Sequence, residues 1–323
     1  MSIGAGALPS ARHAMPAPTP VRDTRTRPRS TANPSAASCL AAAPLGVRFT
    51  PLRLLGAGGM GVVVAAIDHE LDREVAVKTL HRAHANDVLA RRRLQEEGEV
   101  HASLGVAGVV PLLDRCETTT GAPCLVLELV EGETLRAAAG SVRAMLADRR
   151  HTARVLDWLA DVTETIERIH ARGLLHLDVK PDNVLVDDAQ HAWVIDLGSA
   201  RAPTTLVGNT LPGTPPYAPI EVFRGPRVDA RTDLFSLAIT ALEVLTGELP
   251  WEVAAETDSA LVRSALLEPA PRLSMRRPDL DAALDDALAR AADQDPAKRL
   301  TSLPELRVLF RGGARRLRGS LER

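Results

Sequence analysis

Residues 174–186 read LLHLDVKPDNVLV, an apolar and strand-like run interrupted by Asp178, Lys180 and Asn183. Polar groups inside such a frame are costly to bury unless they are paired or used, so any fold that accepts this stretch must give them partners. Residues 155–169 lead into it, with Val155, Leu159, Val162, Ile166 and Ile169 at helical spacing and Gly173 as the stop. Beyond the run, residues 194–199 read VIDLGS, which predicts a second strand with Asp196, ten residues after Val186, at its end.

A second constraint lies upstream. Residues 54–65 read LLGAGGMGVVVA, with Gly56, Gly58 and Gly61 in a GxGxxG spacing that lets backbone amides approach a phosphate chain. In a dinucleotide-binding unit such glycines open a helix, but Val62, Val63 and Val64 form a β-branched run that favours a strand. The spacing therefore predicts a hairpin over phosphates. Residues 73–79, REVAVKT, place Lys78 at the end of an alternating strand after a turn at 68–72.

Only three lysines, Lys78, Lys180 and Lys298, occur among 39 lysines and arginines, so arginine is the default cation. Each lysine invites a reason: a compact ammonium meeting phosphate oxygens is one, chance the other. From Asn86 the pattern is helical, with Asn86 or Asp87 as cap, Leu89, Leu94, Val100 and Leu104 as a broken stripe, and Gly105 as stop. Glu97 lies inside it. It can pair with Lys78 or stand exposed beside Arg93, and spacing leaves both open.

Composition narrows the classes further. The 323 residues are 45% apolar and carry a formal charge of −2, so there is a core to build and no global field to attract nucleic acid or a membrane surface. Cys39, Cys116 and Cys124 are odd in number and show no CxxC spacing, which argues against a disulfide framework or zinc cluster and sets a reducing, cytoplasmic location as the expectation. The apolar stretch 234–245 contains Thr240 and Glu243, is too short to span a bilayer and predicts a buried helix. Residues 1–46 are rich in Pro, Ala, Ser, Thr and Arg with Asp23 as their single acid, which reads as a disordered tail and faintly resembles an organellar transit peptide. Arg311, Arg315, Arg316, Arg318 and Arg323 surround a Gly-Gly pair, which reads as a solvated basic tail or a contact for a membrane surface or partner.

HLDVKPDN resembles the protein-kinase catalytic loop HRDxKxxN, and DLG resembles its DFG motif. GxGxxGxV, VAVK, a helical Glu, HxDxKPxN, DxG, GTPPY and a late arginine follow in the family's order from residue 48 to about 311, and the PDN and GTPxY forms are most similar to bacterial Hanks-type serine/threonine kinases. The resemblance implies an α+β, bilobal fold. A small β-rich N-lobe with one key helix would span about 47–130 and a larger, mainly helical C-lobe about 131–312, with 1–46 and 313–323 as tails.

It further implies transfer of the ATP γ-phosphate to Ser or Thr hydroxyls of protein substrates, with Mg2+ (Mn2+ as the alternative) as the metal. Lys78 would contact the α and β phosphates and pair with Glu97, while Asp196 and Asn183 would hold the metal. Asp178 would accept the hydroxyl proton, Lys180 would neutralise the moving phosphate, and Thr214 would bridge them. Gly56, Ala57, Gly58, Gly59, Met60 and Gly61 would cover the phosphates. Leu55, Val63, Ala76 and Leu185 would sandwich the adenine, with Glu128 and Val130 as the hinge and Leu127 at the back. Asp233 would anchor the catalytic loop, and Glu221, in PIE where the family has APE, would pair with Arg299.

Three departures stand out. Leu177 replaces the arginine that receives an activation-loop phosphate in many kinases, which implies activity independent of that phosphate; Ser199, Thr204, Thr205 and Thr210 in the 199–214 segment remain candidates for autophosphorylation. His101 sits at a position that is apolar in the family, against Leu197, and Gly98 lowers helix propensity beside it, which together suggest a mobile helix. A pseudokinase is the alternative, though none of its signature losses is present. A small-molecule kinase is disfavoured by the full glycine loop and GTPPY.

Overall fold

Alternating apolar residues build the first sheet in the computed structural model, which describes residues 45–58, 61–203, 213–224, 228–251, 268–299 and 302–320. Its strands are β1 (Phe49–Ala57), β2 (Gly61–Asp68), β3 (Arg73–Leu80), β4 (Leu112–Glu117) and β5 (Pro123–Glu128), antiparallel in the order β1-β2-β3-β5-β4. Pairing Val64 with Val77 puts Val62, Val64, Val75 and Val77 on one face with Leu45 and Phe49. The opposite face, carrying Ala76, Leu80, Leu125 and Leu127, packs on Ala90 and Leu94 of helix α1 (Val88–Leu104).

Asp87 caps α1, accepting from the Leu89 and Ala90 amides, and Gly105 ends it in the left-handed region at φ 48°. The buried face is Ala90, Leu94, Glu97, Gly98, His101 and Leu104, so Leu89, 67% exposed, is not part of the stripe that the sequence suggests. Gly98 also has a different role from the one expected of it. A Cβ there would lie 2.7 Å from Leu125 Cδ2 and 2.9 Å from Arg115 Cδ, so glycine lets the helix settle against β4 and β5. The close approach is a packing reason for a residue of low helix propensity at this position.

The C-terminal part is mostly helical. A small sheet of β6 (Gly132–Thr134), β7 (Val184–Asp187) and β8 (Ala192–Val194) opens it. Helices α2 (Leu135–Ala139), α3 (Val142–Ala147), α4 (Arg149–Ala171), α5 (Ile220–Arg224), α6 (Ala230–Thr246), α7 (Ala282–Ala291) and α8 (Leu303–Gly319) follow among the described residues. The stretch 234–245 lies inside α6 and is buried throughout, which makes α6 the core helix. No helix among the described residues is long and apolar enough to cross a membrane.

Two expectations about segments change. Residues 174–186 are strand only from Val184; before it come an open loop and a 3-10 turn at Pro181–Asn183, because Pro181 has no N–H to give a ladder. Likewise β8 stops two residues before Asp196. The basic tail is a correction of larger scale. Leu303, Leu306, Phe310, Ala314 and Leu317 recur at helical spacing and bury α8 against α4, carrying the domain past residue 312 to Gly319. Gly313 sits inside this helix, where an added Cβ would come 3.1 Å from Leu156 Cδ1. Three of the arginines are paired, not merely solvated: Arg311 bonds Asp157 at 3.0 Å and also Asp161, Arg318 bonds Asp157, and Arg316 bonds Asp281 at 2.8 Å. Arg323 and the 1–44 part of the N-terminal tail lie outside the described residues.

Gly98→Ala is expected to lower the melting temperature, since overpacking costs about 1–3 kcal/mol while the propensity gain is about 1 kcal/mol. A thermal melt that shows the variant more stable than wild type would sink the packing account.

Candidate active site

The tips of β1 and β2, the far ends of β3 and β5, and the loops around β7 and β8 enclose a cleft of about 770 Å³. Leu55, Gly56, Ala57, Gly58, Gly61, Val63 and Ala76 line it from the sheet, Leu127, Glu128 and Val130 from the chain leaving β5, and Leu185 from β7. Gly59 and Met60 lie outside the described residues. Gly61 could not be another residue without a shift, because a Cβ there would meet the Thr79 carbonyl oxygen at 2.8 Å.

Lys78, Glu97 and Asp196 converge at the back of this cleft. The Lys78 ammonium donates to Glu97 Oε1 at 2.6 Å and to Asp196 Oδ1 at 3.0 Å, which decides in favour of the paired Glu97. Burial opposes the lysine's charge, but Asp196 and Glu97 outweigh it and hold the ammonium above its ordinary pKa. Burial also opposes the Asp196 carboxylate, yet Lys78 and the Gly198 amide bring it down to about 2. Burial, with the Asp196 charge nearby, pushes Glu97 upward against the pull of Lys78. Glu97 thus depends on the lysine for its charge.

Asp178 forms a second node. Thr214 donates to its Oδ1 at 2.7 Å, Lys180 to its Oδ2 at 3.0 Å, and the Asn183 amide to Oδ2 at 2.9 Å and to the Asp178 carbonyl at 2.8 Å. Lys180 also reaches Thr214 Oγ at 2.6 Å. Asn183 lines the cleft as well, and its carbonyl accepts from the Ile195 N–H at 3.1 Å, which ties the Asp178 node to the residue before Asp196. Beneath them, buried Asp233 accepts from the amides of His176 at 2.8 Å and Leu177 at 2.7 Å and bonds His170 at 2.7 Å. Glu221 and Arg299 pair through two bonds, at 2.5 and 2.8 Å.

Two features go beyond what the sequence pattern suggests. Leu177 is not simply a missing cation: it is buried among Leu175, Ala218, Val222 and Val228, and so fastens the catalytic loop by packing. Glu243, a polar break in an apolar run, is buried and bonded to Arg136 and Tyr217. An acid inside a core helix calls for a cation, and that signal is present in the sequence. Thr204, Thr205 and Thr210 lie outside the described residues, whereas Ser199 lines the cleft.

His101 is 5% exposed, and its Nε2 has no hydrogen-bond partner among the described residues. Burial, helped by the charge of Lys78, pushes its pKa down to about 4. The native state therefore favours the neutral ring, and stability falls as pH drops from 6.5 through about 4 while the unfolded chain takes up the proton. That loss amounts to on the order of 3 kcal/mol at its limit. His101→Leu should show a flatter fall in melting temperature across this window than wild type; parallel curves would show that His101 does not contribute.

Residues 49–308 match the family model of the protein kinase domain. The chain is 32% identical over 271 residues to the serine/threonine-protein kinase PknD of Mycobacterium tuberculosis, covering 82% of this chain and 40% of that protein. It is 34% identical over 248 residues to PknB of the same species, covering 73% and 39%. The chain thus spans about two fifths of the length of these curated relatives. Among solved structures, a cysteine-to-alanine mutant of the Mycobacterium tuberculosis PknI kinase domain superposes with a TM-score of 0.60 at 29% identity, covering 84% of this chain and 98% of that one. With Lys78, Glu97, Asp196 and Asn183 lining one cleft and a family match across most of its length, the chain belongs to the protein kinase family.

Proposed function

We propose that this chain transfers the terminal phosphate of ATP to serine and threonine hydroxyls of protein substrates. The observation that carries the reading is the pair of nodes joined by Asn183: Lys78 between Glu97 and Asp196, and Asp178 ringed by Lys180, Asn183 and Thr214. Phosphoryl transfer demands alignment and charge cancellation more than covalent chemistry, which is what such nodes supply. A pseudokinase would lack one of these groups.

On this reading Lys78 engages the α and β phosphates, with Glu97 fixing its ammonium, and the amides around Gly56, Ala57, Gly58 and Gly61 cover the phosphate chain. Leu55, Val63, Ala76 and Leu185 hold the adenine between them, backbone groups of Glu128 and Val130 bond its edge, and Leu127 closes the back. Asp178 takes the proton from the attacking hydroxyl. Lys180 offsets charge on the moving phosphate, and Thr214 keeps it in register with Asp178. Lysine two places after the base, with Thr214 bridging, is the serine/threonine arrangement.

The residues present fit a hard divalent cation. Asp196 offers a carboxylate and Asn183, whose Nδ2 is engaged with Asp178, offers its amide oxygen; an Ile195 N–H to Asn183 carbonyl bond of 3.1 Å ties the two segments together. Magnesium or manganese held there would cancel phosphate charge.

Incubation with labelled ATP and magnesium is the test. Asp178→Asn is expected to keep nucleotide affinity while transfer falls by about 10²–10⁴-fold, the contribution of a positioned general base. Label should map to serine and threonine. Equal transfer by wild type and variant would overturn the assignment of Asp178, and label on tyrosine would overturn the specificity.

A further inference from the structure

Cys116 and Cys124 are eight positions apart in sequence, yet the β4–β5 hairpin sets them directly opposite one another. They lie on the face of the sheet turned away from α1. Cys124 is buried there with Val75, Val77 and Val126, while Cys116, half-buried, packs at the edge of the same cluster. Both thiols are free.

The ladder sets how near they come. Opposed residues in an antiparallel pair alternate between those that exchange backbone hydrogen bonds and those that do not. The Thr118 amide donates to the Ala122 carbonyl at 2.8 Å, whereas Pro123, next along the strand and opposite Glu117, has no N–H to give. Cys116 and Cys124 therefore fall at a hydrogen-bonded position, where Cα atoms stand about 5.5 Å apart. Disulfides span about 4.4–6.8 Å between Cα atoms, so the backbone already stands at bonding reach.

The two thiols are not equivalent. Cys124 donates its S–H to the Cys116 sulfur, and that bond, with the Arg48 guanidinium, pulls the Cys116 thiol below its ordinary pKa against burial and the charges of Asp114 and Asp68. The same bond, with burial, pushes Cys124 up. Arg48 is fixed in place by Asp68 at 2.8 Å and Asp114 at 2.6 Å. Thiolate character and access both make Cys116 the group that meets an oxidant, with Cys124 behind it.

We infer that Cys116 and Cys124 form a peroxide-modified site: hydrogen peroxide oxidises the Cys116 sulfur, and Cys124 closes on it as a disulfide across β4 and β5. The Cys116 thiolate attacks one peroxide oxygen, the O–O bond breaks, and Cys116 is left as a sulfenic acid with one water released. The Cys124 sulfur then attacks the sulfenic sulfur; the S–S bond forms, and the hydroxyl leaves with the Cys124 proton as a second water. The two thiols lose two electrons in all, which the peroxide gains. Cys124 thus intercepts the sulfenic acid before the irreversible sulfinic step, and a thiol reductant restores the pair. This site stands apart from the phosphotransfer reading and does not depend on it.

The full chain carrying Cys39→Ser, reduced and then given a small excess of hydrogen peroxide, tests it. The tryptic peptide 116–136 contains both remaining cysteines. It should become lighter by two hydrogens, titratable thiols should fall to none, and dithiothreitol should restore both. Adding Cys124→Ser should leave a sulfenic acid at Cys116 that dimedone traps and the parent does not yield. Adding Cys116→Ser should leave Cys124 a free thiol at the same dose. An unchanged peptide, a sulfinic acid at Cys116 beside a free Cys124, or a disulfide joining two chains would overturn the inference. The parent's own peptide map decides this even where a serine variant fails to fold.

Discussion

A lysine ammonium held between two carboxylates from different elements is the contact on which the rest of this structure depends. Lys78 comes from β3, Glu97 from α1 and Asp196 from the loop after β8. Burying such charges costs several kcal/mol per ion, and attraction offsets that only when the geometry is right. The geometry is set by packing. Lys78 pairs in the sheet with Leu125, and Leu125 is the side chain against which Gly98 lies. A missing Cβ at one position thus fixes the height of the preceding residue, Glu97, above the lysine opposite.

The second node has a similar logic, with backbone in place of packing. Leu177 adopts φ 63°, a left-handed conformation that costs a non-glycine residue on the order of 1–2 kcal/mol. Asp233 offsets this by accepting from two successive amides, and the Leu177 side chain adds burial in its own apolar cluster. Gly213 must be glycine here, because a Cβ would collide with the Leu177 carbonyl oxygen. Strain at 177, a buried acid beneath it and a glycine above it together aim Asp178.

Much of this was legible in sequence because the proposed chemistry constrains residue identity: two carboxylates, two ammoniums, an amide and a glycine loop come in fixed types and order. Strand β2 was legible from its β-branched run and β3 from alternation. Packing was not. Leu89 looked like part of the core stripe, yet an apolar residue in a first turn can face solvent; Gly98 looked like a weakness because its neighbours, Arg115 and Leu125, come from other strands. Helix α8 was hidden by Gly312, Gly313 and the density of arginine. Those arginines serve it by pairing with acids on α4 more than a hundred residues away. Arg136 meets its partners at separations of 46, 81 and 107 residues, beyond what local pattern can reveal.

The division between the two cations explains why lysine is so rare in this chain. Arginine appears wherever a carboxylate must be locked: Arg299 forks onto Glu221, Arg277 onto Asp279 through two bonds of 2.8 Å, Arg48 onto Asp68. A planar fork consumes both oxygens of its partner and leaves little to share. Lys78 and Lys180 carry no fork, and each contacts two partners through one ammonium. On the proposed reading, a point charge of that kind redistributes its donors toward a phosphate, whereas a bidentate guanidinium would have to break a pair. Lys298, exposed and only loosely paired with Asp295 at 3.8 Å, shows that the bland reading holds for the third. On the proposed reading, the two lysines of the polar nodes stand where a contact passes from a carboxylate to a phosphate, a change that a single ammonium makes without undoing a fork.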